Sequence, residues 1–332
     1  FVPVFKIGSY PLPEKKLKKF LTKLKKVFVY EEGDPVVEEF VYIYSKKYNP
    51  KLEIKGKISG DVKKEGELSV EEIERSFLKR NKIKYVIPKF PERKPILCAG
   101  CPHLGSFYIL KKVFGKDAIY PGDIGCYTLG IKFGTIDTCL CMGSGISIGT
   151  GISRFEKKYV ISIIGDSTFF HAGIPGLINS VYNKANQIIA ILDNRTTAMT
   201  GYQPHPGLGV NAKGEKTVEI DLKKLVEGCG VTNVIEIDPY SIKDGIEKVK
   251  QIKDMEGVKV IIFKRECIHI SNIKKAHFYI DKDLCKKCKL CLELGCPAIN
   301  IINDDITIGI LCNSCEMCIR ICPFGAIKKN EK

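Results

Sequence analysis

The stretch GDSTFFHAGIPG, residues 165–176, directly follows an apolar run, YVISII, at 159–164. A second run of the same kind, QIIAILDN at 187–194, also ends in polar residues. Short β-branched runs of this length are typical of buried strands, and IPGLINSVYNK (174–184) between them is typical of a helix. The sequence therefore predicts a β-α-β unit with two parallel strands and a right-handed crossover.

Polar side chains stand where both predicted strands end, Asp166 after the first and Asn194 after the second. Neighbouring parallel strands end at the same sheet edge, where open α/β sheets bind ligands, so we expect these two residues side by side. A glycine-containing loop at a helix start suits a diphosphate, and carboxylate, amide and carbonyl oxygens suit Mg²⁺. GDS followed by DN, with 25 residues between Ser167 and Asp193, is typical of thiamine diphosphate binding. The alternative is an Asp that only caps a helix.

Composition indicates a globular chain with two or three domains, since 44% of its 332 residues are apolar. No apolar run approaches the roughly 20 residues that a membrane helix needs. The start of the sequence shows no export signal. We therefore expect a cytoplasmic protein that has no membrane partner.

The formal charge of +15 is concentrated in the lysine-rich stretch EKKLKKFLTKLKK at 14–26. Its apolar residues recur at helical spacing and predict an amphipathic helix. They are Leu17, Phe20, Leu21 and Leu24. The lysine face is either simply solvated or a docking surface for an acidic partner. Nucleic acid is not expected as a partner, because no recognition motif accompanies the charge.

Further local signals divide the first hundred residues. KVFVYEE (26–32) predicts a strand, followed by a helix over PVVEEFVYIYSKK (35–47) with Asp34 as N-cap. Ser69 and Glu72 predict a capping box at the start of another helix. The proline-rich IPKFPERKP (87–95) predicts a linker.

Eight of the fifteen cysteines lie between Cys285 and Cys322, in two matched runs that each end in Cys-Pro. The second run is C-x2-C-x2-C-x3-C-P, the pattern of ferredoxins with two clusters, and the first has one extra residue before its last Cys. Three closely spaced thiolates can bind one [4Fe–4S] cluster while the distant Cys reaches the other. Set 1 is therefore predicted as Cys285, Cys288, Cys291 and Cys322, and set 2 as Cys312, Cys315, Cys318 and Cys296. Zinc, which C-x2-C pairs also bind, is disfavoured by two such runs.

Several motifs together identify a family. They are CAGCPHLGSFYILKK (98–112), DIGCYTLG (123–130), CMGSGISIGTG (141–151), GDSTFFHAGIPGLINSVYNK (165–184) and ILDNRTTAMTG (191–201). With the cysteine tail, they resemble the α subunits of indolepyruvate:ferredoxin oxidoreductases from about residue 1 to the end. One departure is Leu104, where relatives often carry a basic residue.

The resemblance implies roles for individual residues. Mg²⁺ would be bound by Asp166, Asn194 and the carbonyl of Thr196. Gly165, Ser167 and Thr168 would line the diphosphate. Further contacts to thiamine diphosphate would come from Asp123, Gly125, Cys126, Met142 and Gly143. His103 and His171 are candidate catalytic groups near the reacting carbon, with a structural hydrogen-bonding role as the alternative.

A third cluster is an open question at this point. Cys98, Cys101 and Cys126 follow a C-x2-C-x24-C spacing, and Cys267 lies 73 residues beyond Asn194. Related pyruvate oxidoreductases bind a proximal cluster with such spacing, so these four residues form a candidate set 3. Plain packing of small buried residues is the alternative. Packing is the expectation for the remaining three, Cys139, Cys141 and Cys229.

The resemblance also implies the architecture of this α/β chain. A transketolase-C-like remnant and connector would occupy 1–90, and a parallel-sheet thiamine diphosphate (PP-type) binding domain would occupy 91–275. A ferredoxin-like domain with two [4Fe–4S] clusters would occupy 276–332.

The implied activity is oxidative decarboxylation of aryl 2-oxo acids, such as indolepyruvate, to acyl-CoA and CO₂. Electrons would pass through the clusters to an external ferredoxin, and a β subunit and coenzyme A are expected partners. In this family the Glu that activates thiamine belongs to an N-terminal pyrimidine-binding domain, and Glu31 and Glu32 do not match its motif. We expect that domain either in the preceding portion of a longer subunit or in a separate polypeptide. We therefore expect little turnover by the chain alone. A 2-oxo acid:ferredoxin oxidoreductase of other specificity and a non-catalytic Fe–S electron-transfer module are the alternatives.

Overall fold

The computed structural model of the chain describes residues 2–78, 94–273 and 276–330. The chain divides into two compact units, residues 1–92 and 93–332. Most of the predicted linker at 87–95 lies outside the described residues. No helix in the described ranges is both long and apolar enough to cross a bilayer.

The first unit is a small α/β structure. Its elements are α1 (Glu14–Leu21), β1 (Lys26–Phe28), α2 (Val36–Tyr48), β2 (Glu53–Lys55) and α3 (Val70–Leu78). β1 and β2 pair in parallel, and Leu17 and Leu21 of α1 are buried in the core with Val41 and Ile54. The prediction of an amphipathic helix is thus confirmed, because its apolar stripe packs inward while its lysines stay exposed.

The start of α2 differs from the prediction. Asp34 is not the N-cap, since Pro35 occupies that position. The carboxylate of Glu31 instead accepts hydrogen bonds from the backbone N–H groups of Val37 (2.7 Å) and Glu38 (2.9 Å). A residue from the preceding loop thereby satisfies the free donors of the helix end.

The predicted capping box at α3 is half formed. The hydroxyl of Ser69 accepts a hydrogen bond from the backbone N–H of Glu72 at 3.3 Å. The carboxylate of Glu72 turns to Arg75 and to the backbone of Lys63. The reciprocal bond is lost because a guanidinium is the stronger partner for a carboxylate.

The second unit is built on a five-stranded, all-parallel sheet in the order β3-β6-β7-β9-β8. Its strands are β3 (Ala118–Ile119), β6 (Tyr159–Gly165), β7 (Ile188–Asp193), β8 (Asn233–Ile237) and β9 (Lys259–Lys264). A separate parallel pair is formed by β4 (Pro121–Gly122) and β5 (Thr138–Cys139). β6 and β7 are parallel neighbours, which confirms the predicted β-α-β unit.

Helices cover both faces of this sheet. They are α4 (Pro102–Phe114), α5 (Ser144–Ile152), α6 (Asp166–Thr168), α7 (Ile174–Tyr182), α8 (Leu222–Gly228) and α9 (Ile242–Ile252). A π-helical turn, Phe169–Gly173, joins α6 to α7, and short 3₁₀ turns span Cys126–Phe133, Ala198–Thr200 and Pro206–Leu208. Ile163 packs with α4 and α9 in one core, whereas Ile164 packs with α5 and α7 in the other. Successive strand residues thus bury opposite faces, as in a three-layer α/β fold.

The cysteine tail forms the remaining part of the second unit. Its elements are β10 (Phe278–Ile280), a 3₁₀ turn (Leu292–Leu294), β11 (Ile299–Ile302), β12 (Asp305–Ile308), α10 (Met317–Ile321) and β13 (Ile327–Lys329). β10 pairs antiparallel with β13, and β11 with β12. Leu294, Met317 and Ile321 are buried in the same core as α4 and α9. This shared core attaches the tail to the sheet.

Candidate cofactor cavity and cysteine sets

The carboxyl ends of β6 and β7 carry the predicted metal ligands. Gly165 pairs in register with Leu192, so Asp166 and Asn194 leave the sheet at the same edge. The Oδ2 atom of Asp166 accepts a hydrogen bond from the backbone N–H of Arg195 at 2.8 Å. The expectation that these two strand ends meet is therefore confirmed.

A cavity of about 500 Å³, including its open mouth, lies at this edge. Ten residues predicted from the sequence line it: His103, Gly125, Cys126, Met142, Gly165, Asp166, Ser167, Thr168, Asn194 and Thr196. The sequence did not predict the other lining residues, which are Ile124, Tyr127, Leu192, Thr197, Ala198, Met199 and Thr200. The lining combines polar groups with apolar side chains, which suits a cofactor that has both a charged part and an aromatic part.

Three predicted residues are not among those that line the cavity. Asp123 and Gly143 lie behind its wall, where the carboxylate of Asp123 accepts hydrogen bonds from the Gly143 N–H (2.9 Å) and the Tyr127 hydroxyl. Burial raises the pKa of Asp123 to about 6. His171 is exposed on the π-helical turn. For Asp123 the structure indicates a positioning role, because its partner Tyr127 is what reaches the cavity.

The metal-ligand group is rich in oxygen atoms. Asp166 and Asp193 are both 3% exposed, and burial together with the Asp166 charge raises the pKa of Asp193. Arg195 gives both carboxylates its backbone N–H, while its guanidinium pairs with Glu219 at 2.8 Å. Two buried carboxylates beside the amide of Asn194 are the donors that a divalent cation prefers, so these residues fit Mg²⁺.

His205 joins this group, although no spacing in the sequence pointed to it. Its Nε2 atom lies 3.1 Å from Oδ2 of Asp166, and its Nδ1 accepts a hydrogen bond from the Gly207 N–H at 3.2 Å. The Nδ1 bond assigns the ring proton to Nε2, which is buried beside the carboxylate without completing a hydrogen bond of good geometry. The ring stacks on Phe170 with centroids 5.5 Å apart. His205 is thus held as an outer partner of a candidate metal ligand.

His103 is another titratable side chain of the cavity lining. It is 3% exposed and packs edge-on against Tyr127, with ring centroids 6.5 Å apart. Burial lowers the pKa of His103 to about 4, although the charge of Asp166 acts in the other direction. A neutral imidazole can donate one hydrogen bond and accept another inside the cavity.

Each tail set gathers in a cavity of its own. The four residues of set 1 line one cavity, and the four residues of set 2 line another. Each set takes its distant Cys from the other run. In the described part of the chain, no three His, Cys, Asp or Glu side chains are arranged to hold a single metal ion. Four cysteines around each cavity match the number of ligands that a [4Fe–4S] cluster takes.

The four residues of set 3 are also brought together. Burial is the main cause that raises the pKa of Cys101, and the nearby thiols of Cys267, Cys98 and Cys126 add to it. Cys98 Sγ lies 3.2 Å from the Nε2 of His269. Metal binding would reverse these pKa shifts, because the thiolate is the ligand. Residues from three separate parts of the chain thus lie close together, as the candidate set 3 requires.

Set 3 stands between the cofactor cavity and the tail. Cys126 belongs to set 3 and also lines the cofactor cavity. Gly100, between Cys98 and Cys101, lines the cavity of set 2, and Asn313 donates a hydrogen bond to the carbonyl of Ala99 at 2.8 Å. Sets 2 and 1 are adjacent as well, since Cys318 and Cys291 interact electrostatically. The order is cofactor cavity, set 3, set 2, set 1.

The remaining cysteines differ from expectation in part. Cys229 packs against the core on the α8 side of the sheet, as predicted. Cys139 and Cys141 are exposed, so the expectation of plain packing is wrong for these two.

Comparison with known proteins agrees with this geometry. Residues 123–263 match the family of the thiamine pyrophosphate enzyme, C-terminal TPP binding domain. Indolepyruvate oxidoreductase subunit IorA of Methanothermobacter thermautotrophicus is 38% identical, with 100% of this chain and 56% of that protein covered. The same subunit of Archaeoglobus fulgidus is 36% identical, with coverage of 98% and 56%. A 2-oxoglutarate:ferredoxin oxidoreductase from Magnetococcus marinus aligns at 17% identity with a TM-score of 0.49, over 55% of this chain and 68% of that one. That alignment is too distant to carry a functional conclusion.

The parallel sheet and the cavity at its carboxyl edge define a thiamine diphosphate-binding α/β domain. Within that class, the chain belongs to the family of the indolepyruvate oxidoreductase subunit IorA. It spans about half the length, 56%, of the curated relatives it matches.

Proposed function

We propose that this chain provides the diphosphate-binding half of the thiamine site and the electron-transfer part of a 2-oxo acid:ferredoxin oxidoreductase. The reaction is the oxidative decarboxylation of aryl 2-oxo acids to acyl-CoA and CO₂. One observation carries the proposal, namely that Cys126 both lines the cofactor cavity and belongs to set 3. An enzyme that sends electrons from an organic cofactor to iron–sulfur clusters needs its first cluster next to the cofactor, as a shared residue would provide.

Different residues at the cavity bind the metal ion and the diphosphate. Asp166, Asn194 and the carbonyl of Thr196 hold Mg²⁺, and His205 orients the Asp166 carboxylate. Gly165, Ser167 and Thr168 bring the N–H groups of a helix start to the diphosphate. Thiamine diphosphate supplies the electron sink for decarboxylation when bound.

The apolar part of the lining and His103 act on the reacting end. Ile124, Met142, Leu192 and Met199 give the cavity its apolar surface, and Leu192 is fully buried. His103, kept neutral by burial, offers a proton donor or acceptor to the substrate carboxylate or carbonyl.

The three cysteine sets hold [4Fe–4S] clusters, which supply one-electron carriers. Partial burial of sets 3 and 2 favours such a role, although Cys98 is exposed. Cys267 is 7% exposed, and set 2 packs against the core shared with the sheet. Low solvent exposure around a cluster helps to set its reduction potential.

The remaining parts of the proposal follow from the family. They are the aryl specificity, coenzyme A as acyl acceptor, an external ferredoxin, a β subunit and a pyrimidine-binding domain. The cavity supports the last of these, since no Glu is among the described residues that line it. The chain alone is therefore expected to turn over poorly, and the transketolase-C-like character of the first unit belongs to the same proposal.

The test compares 2-oxo acids in the assembled enzyme, with anaerobic iron and thiamine analysis. Indolepyruvate and phenylpyruvate should give kcat/KM values well above those for pyruvate and 2-oxoglutarate. Iron should be about twelve atoms per chain, four for each cluster. Preference for a non-aryl acid would assign a different specificity. Full iron content without thiamine binding or decarboxylation would assign an electron-transfer module instead.

A further inference from the structure

The internal repeat of the tail provides a comparison within the molecule. Two loops of the tail can be compared, CKKCKLC at 285–291 in set 1 and CNSCEMC at 312–318 in set 2. Both have left-handed backbone at the same two positions. Lys287 (φ 50°) corresponds to Ser314 (φ 62°), and Lys289 (φ 63°) corresponds to Glu316 (φ 64°). Two loops with matching backbone thus carry different side chains, and any difference between them reflects their surroundings.

The loop of set 2 faces the sheet. Asn313 donates to the carbonyl of Ala99 at 2.8 Å, and the hydroxyl of Ser314, which is 7% exposed, accepts a hydrogen bond from the N–H of Ala276 at 2.7 Å. Asn313 and Ser314 are therefore explained by contacts within the chain, whereas Glu316 is exposed and lies 4.0 Å from the guanidinium of Arg320.

The loop of set 1 has the opposite environment. Lys286, Lys287, Cys288 and Lys289 are all exposed. Left-handed backbone favours Gly or Asn, and a lysine in that conformation is strained. Because the side chains of Lys287 and Lys289 are exposed, burial in the core does not account for lysine at these two positions.

The charges around this loop leave a positive excess. Residues 282–289 contain four lysines and one aspartate, Asp283. Lys282 and Lys287 pair with Asp305 at 2.7 and 3.0 Å, and Lys287 also pairs with Asp304 at 3.4 Å, so the four lysines face three carboxylates. Lys286 and Lys289, by contrast, have no carboxylate within ion-pair distance in the described part of the chain.

Apolar side chains stand beside these lysines. Phe324, 45% exposed, lines the cavity of set 1 together with Lys286, and Leu284 nearby is 39% exposed. An apolar centre with a charged rim is the usual anatomy of a small protein interface.

We propose that the lysine surface, defined as residues 282–289 with Phe324, is the docking site for an acidic electron-carrier protein of the ferredoxin type. The inference rests on the proposed function, and it assigns set 1 as the exit for electrons. Charge complementarity accelerates such encounters by roughly 10- to 1,000-fold at low salt.

The test uses the assembled enzyme with Lys286→Glu and Lys289→Glu combined. The matched control is Lys157→Glu with Lys158→Glu, the same charge change at two exposed lysines elsewhere in the second unit. The probe is an acidic bacterial ferredoxin with two [4Fe–4S] clusters, and methyl viologen is the small-molecule acceptor. Two quantities are measured, the ratio of ferredoxin to viologen reduction and the Kd of oxidised ferredoxin, each at low and high salt.

The expected result is at least a tenfold fall in that ratio and a matching rise in Kd at low salt, both shrinking at high salt because ions screen the charges. Values equal to those of the control would overturn the docking site. Absence of viologen reduction by the unmodified enzyme would instead refute the proposed function. If iron analysis shows that set 1 has lost its cluster, Lys282→Glu with Lys289→Glu repeats the test, since Lys282 is not among the residues that line the set 1 cavity.

Discussion

The Nε2 atom of His205 lies 3.1 Å from Oδ2 of Asp166, and both side chains are 4% exposed. The histidine stands in a loop after β7, whereas the aspartate directly follows β6 as the first residue of α6. This contact connects the loop at 202–209 to a proposed Mg²⁺ ligand. The imidazole of His205 limits the orientations that the Asp166 carboxylate can take. His205 itself is not among the residues that line the cavity.

Replacing His205 by Gln should weaken Mg²⁺-dependent binding of thiamine diphosphate by about 10- to 100-fold, as is usual for outer partners of metal ligands. The measurement is the Mg²⁺ concentration needed for half-maximal cofactor binding to the assembled enzyme. His277→Gln, at an exposed position, is the control. A variant that needs no more Mg²⁺ than the control would remove His205 from the site.

Cys126→Ser should lower the iron content of the reconstituted chain by about four atoms and leave the clusters of sets 1 and 2. The reason is that Cys126 interacts electrostatically with Cys98 and Cys267 rather than with the tail. Cys229→Ser serves as control, because Cys229 packs against α8. Iron and sulfide analysis with low-temperature EPR reads the result. Unchanged iron would favour plain packing for set 3.

Gly105→Ala tests how the tail is attached to the sheet. A methyl group at Gly105 would overlap the carbonyl oxygen of Pro239 and lie 3.0 Å from Sδ of Met317 in the tail. Backbone cannot yield as a side chain does, so we expect a loss of about 1–3 kcal/mol in the free energy of unfolding. The control is Gly151→Ala, where a Cβ meets nothing within 4 Å, and which should be neutral or slightly stabilising. Denaturant unfolding compares the two, and equal midpoints would contradict the close approach.

Lys259 should make stability depend on pH. Its side chain is buried at the start of β9, where it donates to Asn186 and to the carbonyl of Met255. Burial lowers the pKa of Lys259 to about 8, although the charge of Asp254 opposes this. Between that pH and about 10.4, the unfolded chain binds more protons than the folded one. The contribution of this lysine to stability therefore rises with pH across this window and is unfavourable below it.

The Lys259→Met variant should lose that rise, so that its melting temperature relative to the unmodified chain falls as pH increases from 8 to 10. Lys243→Met, at an exposed position of α9, should follow the unmodified chain. Parallel curves for all three proteins would show that Lys259 does not titrate in this range.

Local patterns in the sequence predicted the parts of this protein that depend on short stretches of chain. The runs at 159–164 and 187–192 became adjacent parallel strands, because β-branched apolar residues of this length are buried best in a sheet covered on both faces. The prediction that Asp166 and Asn194 lie side by side followed from this pairing, since neighbouring parallel strands end at the same edge of the sheet. The cysteine repeat likewise brought the two tail sets into two cavities, with the crossed pairing that the spacing indicated.

Contacts between distant segments were decided by tertiary structure. No spacing relates His205 to Asp166, and Asp123 resembled a cavity residue until its bonds to Gly143 and Tyr127 placed it behind the wall. Glu31 displaced Asp34 as the cap of α2 for the same reason, because a carboxylate from a neighbouring loop reached the free N–H groups. The sequence by itself determined which elements form and which ends carry polar groups, since periodicity and short spacing are local. Tertiary structure decided which side chains face the cavity, because that depends on packing between elements far apart in the chain.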